Sequence, residues 1–387
     1  VGDRILDKAL ELFNGEKAAE AAQLGVSWLG TKALMAAIES RLDVKPGLYR
    51  WVGAAGNPKD LQAPGFDAYD PADLQSKPML VFIHGTGSSS HGSFGDLRSG
   101  DRDLWGMFER QFSGGIFAFE HPTLSQSPIE NALALVGSLP KGARVSLVSH
   151  SRGGLVADLM CLGDFDALID GYAYSFEGTG DADATEAKRV IRELKTAHAH
   201  QRVDLRRLGK LLREREIVIQ RYVRVASPAN GTRLASANFD LFLSGLLTLI
   251  GQVPFFFGSP YYSAFKRVVI EIAKNRTNPH LVPGIEAMLP DSPMAGLLRD
   301  APIRAGIQMA VIAGDIEGGN LLKRLGVLLT DFLFFDNTDN DLVVDTVAML
   351  AGVAPKADAK VLFDRGADVS HFRYFTNIDT STEVRNE

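Results

Sequence analysis

The chain has 387 residues, of which 45% are hydrophobic and 23% are charged, so it is long and apolar enough to bury a sizeable core. Its net charge of −6, with no basic stripe, gives no electrostatic reason to expect nucleic acid as a partner. A single cysteine, Cys161, excludes an internal disulfide.

The first fifty residues predict a helical arm. Apolar side chains recur at helical spacing through residues 3–43, and Asn14-Gly15 divides the pattern, so two helices that act as a scaffold or packing arm are expected. No signal peptide is visible here because charges occur throughout, which predicts a cytoplasmic location. An apolar run at 48–52 predicts a first strand, and 53–78, rich in Gly and Pro, is a long connection.

The next elements alternate between buried strands and helices. Residues 79–83 predict a strand that ends in His84-Gly85-Thr86-Gly87. A second apolar run at 115–119 predicts another strand, followed by a helix from about 129 to 139.

Residues 144–155, RVSLVSHSRGGL, predict a strand, a sharp turn and a helix. Ser151 lies at the turn, between Ser149 and Gly153-Gly154, and a strained turn of this kind needs small neighbours because the strand and helix backbones come close. The segment resembles the nucleophile elbow of α/β-hydrolases of the lipase and carboxylesterase type, with Ser149 where the usual pattern has Gly. The alternative is a strand-to-helix turn without chemistry.

The resemblance implies an α/β-hydrolase fold with a mostly parallel central sheet, an N-terminal helical arm and helical lid insertions. It also implies that the backbone N–H groups of Thr86 and Arg152 bind the oxyanion of the reaction. A glycine-rich loop without function is the alternative for 84–87. His121 precedes the serine, whereas this fold places the catalytic base last, so His121 is interpreted as structural or as a residue that supports the site without contacting the substrate. His150 adjoins Ser151 but is expected to point along the corner rather than at it, so it is interpreted as structural.

Two insertions follow the elbow. Residues 181–216 carry ten Lys and Arg against seven Asp and Glu, with leucines at helical spacing, which predicts an amphipathic helical insertion. The core resumes with a strand at 217–225. Residues 241–265 contain no charge but are interrupted by Pro and Gly, so a hydrophobic lid is favoured over a membrane span, and a buried core helix is a further alternative. Within this lid, Phe255, Phe256 and Phe257 are expected to line the acyl site.

The predicted organisation therefore has six parts. They are the helical arm and first strand (1–77), the first part of the hydrolase core (78–180), the charged insertion (181–216), a core strand and turn (217–236), the lid region (237–300) and the last part of the core (301–387).

α/β-Hydrolases carry their triad in the order Ser, acid, His. His371 lies just beyond the last predicted strand, 359–363, where the resemblance places the base. Asn340-Asp341-Leu342-Val343 resembles the Asn-Asp-Gly-Leu-Val segment that carries the acid in bacterial lipases, which favours Asp341. Asp315, at the end of a predicted strand, is the alternative acid, and Asp345 is a third.

The sequence thus predicts a serine carboxylesterase that cleaves hydrophobic esters, including bulky or polymeric ones, through an acyl-enzyme. No metal cluster, dinucleotide fingerprint or phosphate-binding loop is present, so no metal or cofactor is expected. The lid would allow transient contact with a lipid interface. An amidase, peptidase or thioesterase with the same triad, and a non-catalytic partner-binding or membrane-docking module, are the alternatives, and the oligomeric state stays open.

Overall fold

The computed structural model describes residues 45–52, 60–68, 70–99, 104–173, 184–231, 283–315 and 346–365, and also six single positions: Lys32, Met35, Ala36, Glu39, Phe375 and Val384. The predicted lid at 241–265 and most of the predicted N-terminal arm lie outside these residues. Of the arm, the four described positions are helical.

An eight-stranded sheet in the order β2-β1-β4-β3-β5-β6-β7-β8 forms the centre of the protein. β1 pairs antiparallel with both β2 and β4, and the other neighbours are parallel. The strands are β1 (Gly47–Trp51), β2 (Leu61–Gln62), β3 (Met79–Ile83), β4 (Gly115–Glu120), β5 (Arg144–His150), β6 (Val218–Val225), β7 (Gln308–Asp315) and β8 (Lys360–Arg365).

The central strands are buried along their length. Every residue of β3 and β4 is buried, and in β5 all but the first residue are. Parallel strands covered on both faces need continuous apolar runs, which is why the sequence marked them clearly. The α/β class with a mostly parallel sheet, predicted from the sequence, is confirmed.

Helices cover the sheet between the strands. α4 contacts both α5 and α6, while α2 and α3 contact each other and the strands β3 and β4. The helices are α1 (Pro71–Ser76), α2 (Ser90–Ser99), α3 (Leu104–Gln111), α4 (Pro128–Ser138), α5 (Gly153–Cys161), α6 (Ala184–Arg215), α7 (Pro283–Glu286), α8 (Pro293–Asp300) and α9 (Thr346–Met349), with short 3-10 helices at Phe66–Ala68 and Asp166–Leu168.

Two helices show how local sequence sets their ends and faces. α4 begins with a capping box, in which the Ser127 hydroxyl accepts from the Glu130 N–H and the Glu130 carboxylate accepts from the Ser127 N–H. α6 is one continuous helix of 32 residues within the predicted charged insertion. It buries Leu205, Leu208 and Leu212 against the core, while Arg206, Arg207 and Lys210 between them are exposed.

The part of the chain described by the structure contains no helix that is both long and apolar enough to cross a membrane.

Candidate active site

Ser151 occupies the corner between β5 and α5. Its φ is +54°, a left-handed conformation that costs energy for a residue with a side chain and tends to occur at functional sites. Hydrogen bonds hold the corner, because the Ser151 N–H donates to the Val225 carbonyl oxygen (2.9 Å) and the Ser151 carbonyl accepts from the Gly154 N–H (2.9 Å). The structure therefore confines the serine backbone from both sides.

The residues around the corner must be small. A Cβ on Gly153 would come 2.3 Å from the Ile83 carbonyl oxygen, and one on Gly154 would come 2.2 Å from the Ser227 hydroxyl oxygen. Ser149 occupies the position, two residues before Ser151, where the nucleophile-elbow pattern usually has glycine. Its hydroxyl lies 3.1 Å from the Tyr222 hydroxyl, within hydrogen-bond distance. A serine is therefore tolerated there because its polar atom has a buried partner.

The loop after β3 comes directly against Ser151. A Cβ on Gly85 would lie 2.7 Å from the Ser151 Cβ and 3.3 Å from its Oγ. Gly87 has a φ of +60°, and its N–H donates to the Thr123 hydroxyl oxygen at 2.9 Å. The predicted oxyanion residue Thr86 is thus held between a close contact on one side and a fixed turn on the other.

Within the described residues, neither the Thr86 N–H nor the Arg152 N–H donates a hydrogen bond to another protein group. Both residues are buried, at 4% and 0% exposure. Two N–H groups of buried residues that have no partner among the described residues, beside a strained serine, have the arrangement expected of an oxyanion hole.

The Arg152 side chain anchors the elbow to its surroundings. Its guanidinium donates to the Gly284 carbonyl (3.1 Å), to Asn131 Oδ1 (2.9 Å) and to the Gln126 carbonyl. Burial lowers the pKa of Arg152 to about 10, and the neighbouring Glu39 and Glu130 oppose that shift. Arg152 therefore stays charged at neutral pH and ties together segments that are far apart in sequence.

Two stacked histidines support the start of the oxyanion loop. The His84 Nδ1–H donates to the Gly85 carbonyl (2.9 Å), and His84 Nε2 accepts from the His121 N–H (3.3 Å). The Glu120 carboxylate lies 3.4 Å from the same Nε2 and also accepts from the Ser90 N–H (2.9 Å). Burial lowers the pKa of His121 well below its ordinary value, and the nearby His84 and Arg152 lower it further. This shift favours the neutral form of His121, and the stacking of its ring on His84 (centroids 4.2 Å apart) is consistent with its interpretation as structural.

A buried polar network lies beneath the elbow helix. Arg224 pairs with Asp158 at 2.6 Å, and both side chains have 0% exposure. The single hydrogen of the Tyr222 hydroxyl lies within hydrogen-bond distance of two acceptors, Asp158 Oδ1 (3.0 Å) and the Gly154 carbonyl oxygen (3.1 Å). Burial raises the pKa of Asp158, while Arg224 and Tyr222 act in the opposite direction. The network joins α5 to β6 directly behind Ser151.

The chain near its C-terminus returns to the elbow. Phe375 is buried and packs on Phe94 and on His150, with ring centroids 5.0 and 5.7 Å apart. His150 is the residue before Ser151, and it contacts aromatic rings, consistent with its interpretation as structural. Phe375 itself is therefore placed against the residue that precedes Ser151.

Three of the predicted site residues are brought together. Ser151, Thr86 and Arg152 lie at one edge of the sheet, where β3 and β5 end. The backbone of the alternative acid Asp315 closes β7, two strands away from β5. The predicted acid and base and the predicted lid residues lie outside the described residues: Asp341, His371, Phe255, Phe256 and Phe257.

Sequence reasoning missed several residues that support the site. Glu39, Glu120, Asp158 and Arg224 are all charged, and a single charged residue in a helix or strand pattern normally indicates a solvent-exposed face. The charged Arg224 inside the apolar run of β6 was the one available signal, since a buried strand accepts a charge chiefly when a partner balances it.

A cavity of about 510 Å³ lies at the amino ends of β5, β6 and β7, the opposite edge of the sheet from Ser151. Arg144, Ser146 and Arg221 line it, but its described lining contains no histidine, cysteine or carboxylate. The described residues also contain no group of three or more histidine, cysteine and acidic side chains that would suit a metal ion.

The cysteine Cys161 is buried in α5, and burial raises the pKa of its thiol.

A mostly parallel eight-stranded sheet in this order, with a serine in the left-handed conformation at a central strand–helix corner, defines an α/β-hydrolase fold. The chain belongs to the family described as Domain of unknown function (DUF7379), whose model matches residues 53–163 and 201–387. No curated protein matches its sequence significantly.

Solved structures with similar folds include lipases and esterases. Mature lipase BlEst2 of Bacillus licheniformis is 17% identical, with a TM-score of 0.40 over 86% of this chain and 94% of that chain. Lipase 1 of Pelosinus fermentans is 12% identical, with a TM-score of 0.46 over 80% and 97%. The metagenomic carboxyl esterase MGS0156 is 17% identical, with a TM-score of 0.34 over 88% and 79%.

Proposed function

We propose that this protein is a serine carboxylic-ester hydrolase. Ser151 attacks the ester carbonyl while His371 takes its proton, and Asp341 orients the imidazole and stabilises the imidazolium. The N–H groups of Thr86 and Arg152 bind the oxyanion of the tetrahedral intermediate. The alcohol leaves with a proton from His371, and a water activated by the same histidine then hydrolyses the acyl-enzyme.

The observation that carries this proposal is the strained backbone of Ser151 beside two buried N–H groups that lack partners within the described residues. Strain of this kind persists only when the surrounding structure imposes it, and here the backbone packs so closely at Gly85, Gly153 and Gly154 that none of these positions has room for a side chain. A turn that merely connected a strand to a helix would gain nothing from such a conformation.

The position of Phe375 supports His371 as the base. Phe375 packs on His150, the neighbour of Ser151, and His371 precedes it by four residues. Four extended residues span at most about 14 Å, so the chain segment that holds His371 starts within reach of the serine.

The proposed substrates are hydrophobic esters. The uncharged stretch 241–265, with Phe255, Phe256 and Phe257, would cover the cleft and bind the acyl chain, and each buried methylene contributes about 0.8 kcal/mol. The same surface would allow transient contact with a lipid or polymer interface.

The decisive experiment is active-site labelling with a fluorophosphonate, followed by hydrolysis of p-nitrophenyl esters of increasing chain length. We expect the wild-type chain to be labelled and to turn over these esters, and Ser151→Ala to lose both activities. Ser146→Ala is a matched control, because this buried serine lies at the opposite end of β5. A wild-type chain that does not react would indicate a binding module on this fold. If amides or thioesters are hydrolysed in preference to esters, the leaving group of the natural reaction is an amine or a thiol rather than an alcohol.

A further inference from the structure

The loop after β4 wraps around one carboxylate. Glu39 Oε1 accepts from the N–H groups of Thr123 (2.6 Å) and Leu124 (2.7 Å), and Oε2 accepts from the Ser125 N–H (3.0 Å) and hydroxyl. All three loop residues are buried, each at 3% exposure. Consecutive N–H groups that converge on one point form an anion site, and here the protein supplies the anion itself.

This carboxylate belongs to the N-terminal arm. Lys32, Met35 and Glu39 are helical and three to four residues apart, so they share one helix face, and Met35 is buried at 2% exposure. Lys32 on the same face pairs with Glu130 of α4 at 2.7 Å. The arm precedes residues 53–163 and 201–387, to which the family model matches, and yet it contacts a loop of the core.

The loop in turn fixes the oxyanion segment. The Thr123 hydroxyl lies 3.4 Å from Glu39 Oε1 and accepts from the Gly87 N–H at 2.9 Å. A carboxylate only accepts hydrogen bonds, so it draws the hydroxyl hydrogen toward itself and leaves an oxygen lone pair for the Gly87 N–H. Gly87 follows Thr86, whose own N–H is a proposed oxyanion donor. The chain of hydrogen bonds that starts at Glu39 therefore ends at the residue next to that donor.

We propose that Glu39 is a positioning residue for the oxyanion hole, acting through Thr123 and Gly87. The arm then sets the direction of the Thr86 N–H and takes part in catalysis as well as in packing. The inference rests on the proposed hydrolase function, so its test needs one measurement that depends on ester turnover and another that does not.

The first measurement is steady-state hydrolysis of a p-nitrophenyl ester by the full chain and its variants. We expect Glu39→Ala and Thr123→Val each to lower kcat about 10- to 100-fold with little change in KM, because a misdirected oxyanion donor weakens transition-state binding. Thr123→Ser keeps the hydroxyl and should retain most of the activity. Lys32→Met, which removes a contact of the same arm face but leaves the loop untouched, is the control and should match the wild type.

Combining the two substitutions separates positioning from general destabilisation. If Glu39 acts through Thr123, Thr123→Val should cost almost nothing more in kcat once Glu39 is Ala. If the two substitutions lower kcat independently, so that their effects add in the double variant, Glu39 does not act through Thr123 and the proposal is wrong. A Glu39→Ala variant with wild-type kcat would also overturn it.

The second measurement is amide hydrogen exchange, which requires no activity. Peptides that cover residues 84–90 and 122–127 should exchange faster in Glu39→Ala than in the wild type, while a peptide from β5 should be unchanged. Unchanged exchange at 84–90 would refute the inference even if the protein hydrolyses esters. Faster exchange in a chain that hydrolyses no ester would retain Glu39 as the support of the loop and reject the hydrolase function.

Discussion

Gly85 and Ser151 approach so closely that a single methyl group on Gly85 would lie 2.7 Å from the Ser151 Cβ. The two residues follow neighbouring parallel strands, in which Ile83 is paired with Ser149. Because parallel strands end at the same edge, their loops meet there, and this sheet uses the meeting point to place the proposed oxyanion donors against the nucleophile.

Gly85→Ala should therefore lower kcat for ester hydrolysis about 100-fold, because the added methyl would push the oxyanion loop away from Ser151. Gly95→Ala is the matched control, since a Cβ on Gly95 in α2 would meet nothing within 4 Å. The control should keep full activity and gain up to about 1 kcal/mol of stability, as alanine favours a helix interior. Equal activity of the two variants in a p-nitrophenyl ester assay would contradict the proposed loop geometry.

Two Asp→Asn variants of the protein test which aspartate is the acid of the proposed triad. Asp341→Asn should lower kcat about 10⁴-fold, since an imidazole without its carboxylate takes the wrong tautomer and orientation. Asp315→Asn should have a much smaller effect. The measurement is kcat on one ester substrate for both variants, and the reverse ranking would make Asp315 the acid.

The proposed lid predicts that its removal lowers the rate of hydrolysis by an amount that depends on the ester substrate. Replacing Phe255, Phe256 and Phe257 by Ser should reduce hydrolysis of long-chain or insoluble esters far more than hydrolysis of acetate esters, because apolar contact with the acyl chain is removed. Initial rates on both classes and a melting curve decide the outcome. Equal losses on both classes, together with a lower melting temperature, would identify the stretch as core.

The sequence predicted the sheet well because its central strands are apolar on both faces, and Ser151 with Gly153 and Gly154 marked the elbow. β2 escaped prediction because a strand of two residues has no periodicity. The contacts that support the site join residues far apart in sequence, such as Glu39 with Thr123 and Asp158 with Arg224. A local pattern cannot reveal these pairs: Glu39 alone resembles an ordinary surface charge, and Arg224, although unusual in a buried strand, does not indicate which residue balances it.

The buried ion pair behind the elbow should matter for stability. Asp158→Asn removes the charge that balances the fully buried Arg224, and breaking such a pair costs about 3 to 5 kcal/mol. Asp300→Asn breaks the exposed pair with Arg299 and should cost less than about 0.5 kcal/mol. Urea unfolding measures both changes. A small loss for Asp158→Asn would mean that the pair contributes little to the folded state.

His121 predicts a specific dependence of stability on pH. Burial keeps its pKa well below the ordinary 6.5, so the folded chain holds it neutral while the unfolded chain takes up a proton near pH 6.5. The unfolded state therefore binds more protons as the pH falls, and the free energy of unfolding should decrease below about pH 6.5, by at most about 1.4 kcal/mol per pH unit.

His121→Asn removes the titrating ring and keeps an N–H near the position of Nδ1, which lies 3.1 Å from the Phe119 carbonyl. Urea unfolding of this variant between pH 7 and 5.5 should show a shallower slope than the wild type. Parallel slopes would show that other groups carry the pH dependence.

The buried position of Cys161 has a practical consequence for experiments on this protein. Its thiol is 1% exposed, and burial disfavours the thiolate that reacts with alkylating and disulfide reagents. The folded native chain should therefore not react with maleimides. A cysteine introduced at the exposed Val203 on the outer face of α6 would then react selectively, so a spin label or fluorophore can be attached there without first removing a native residue.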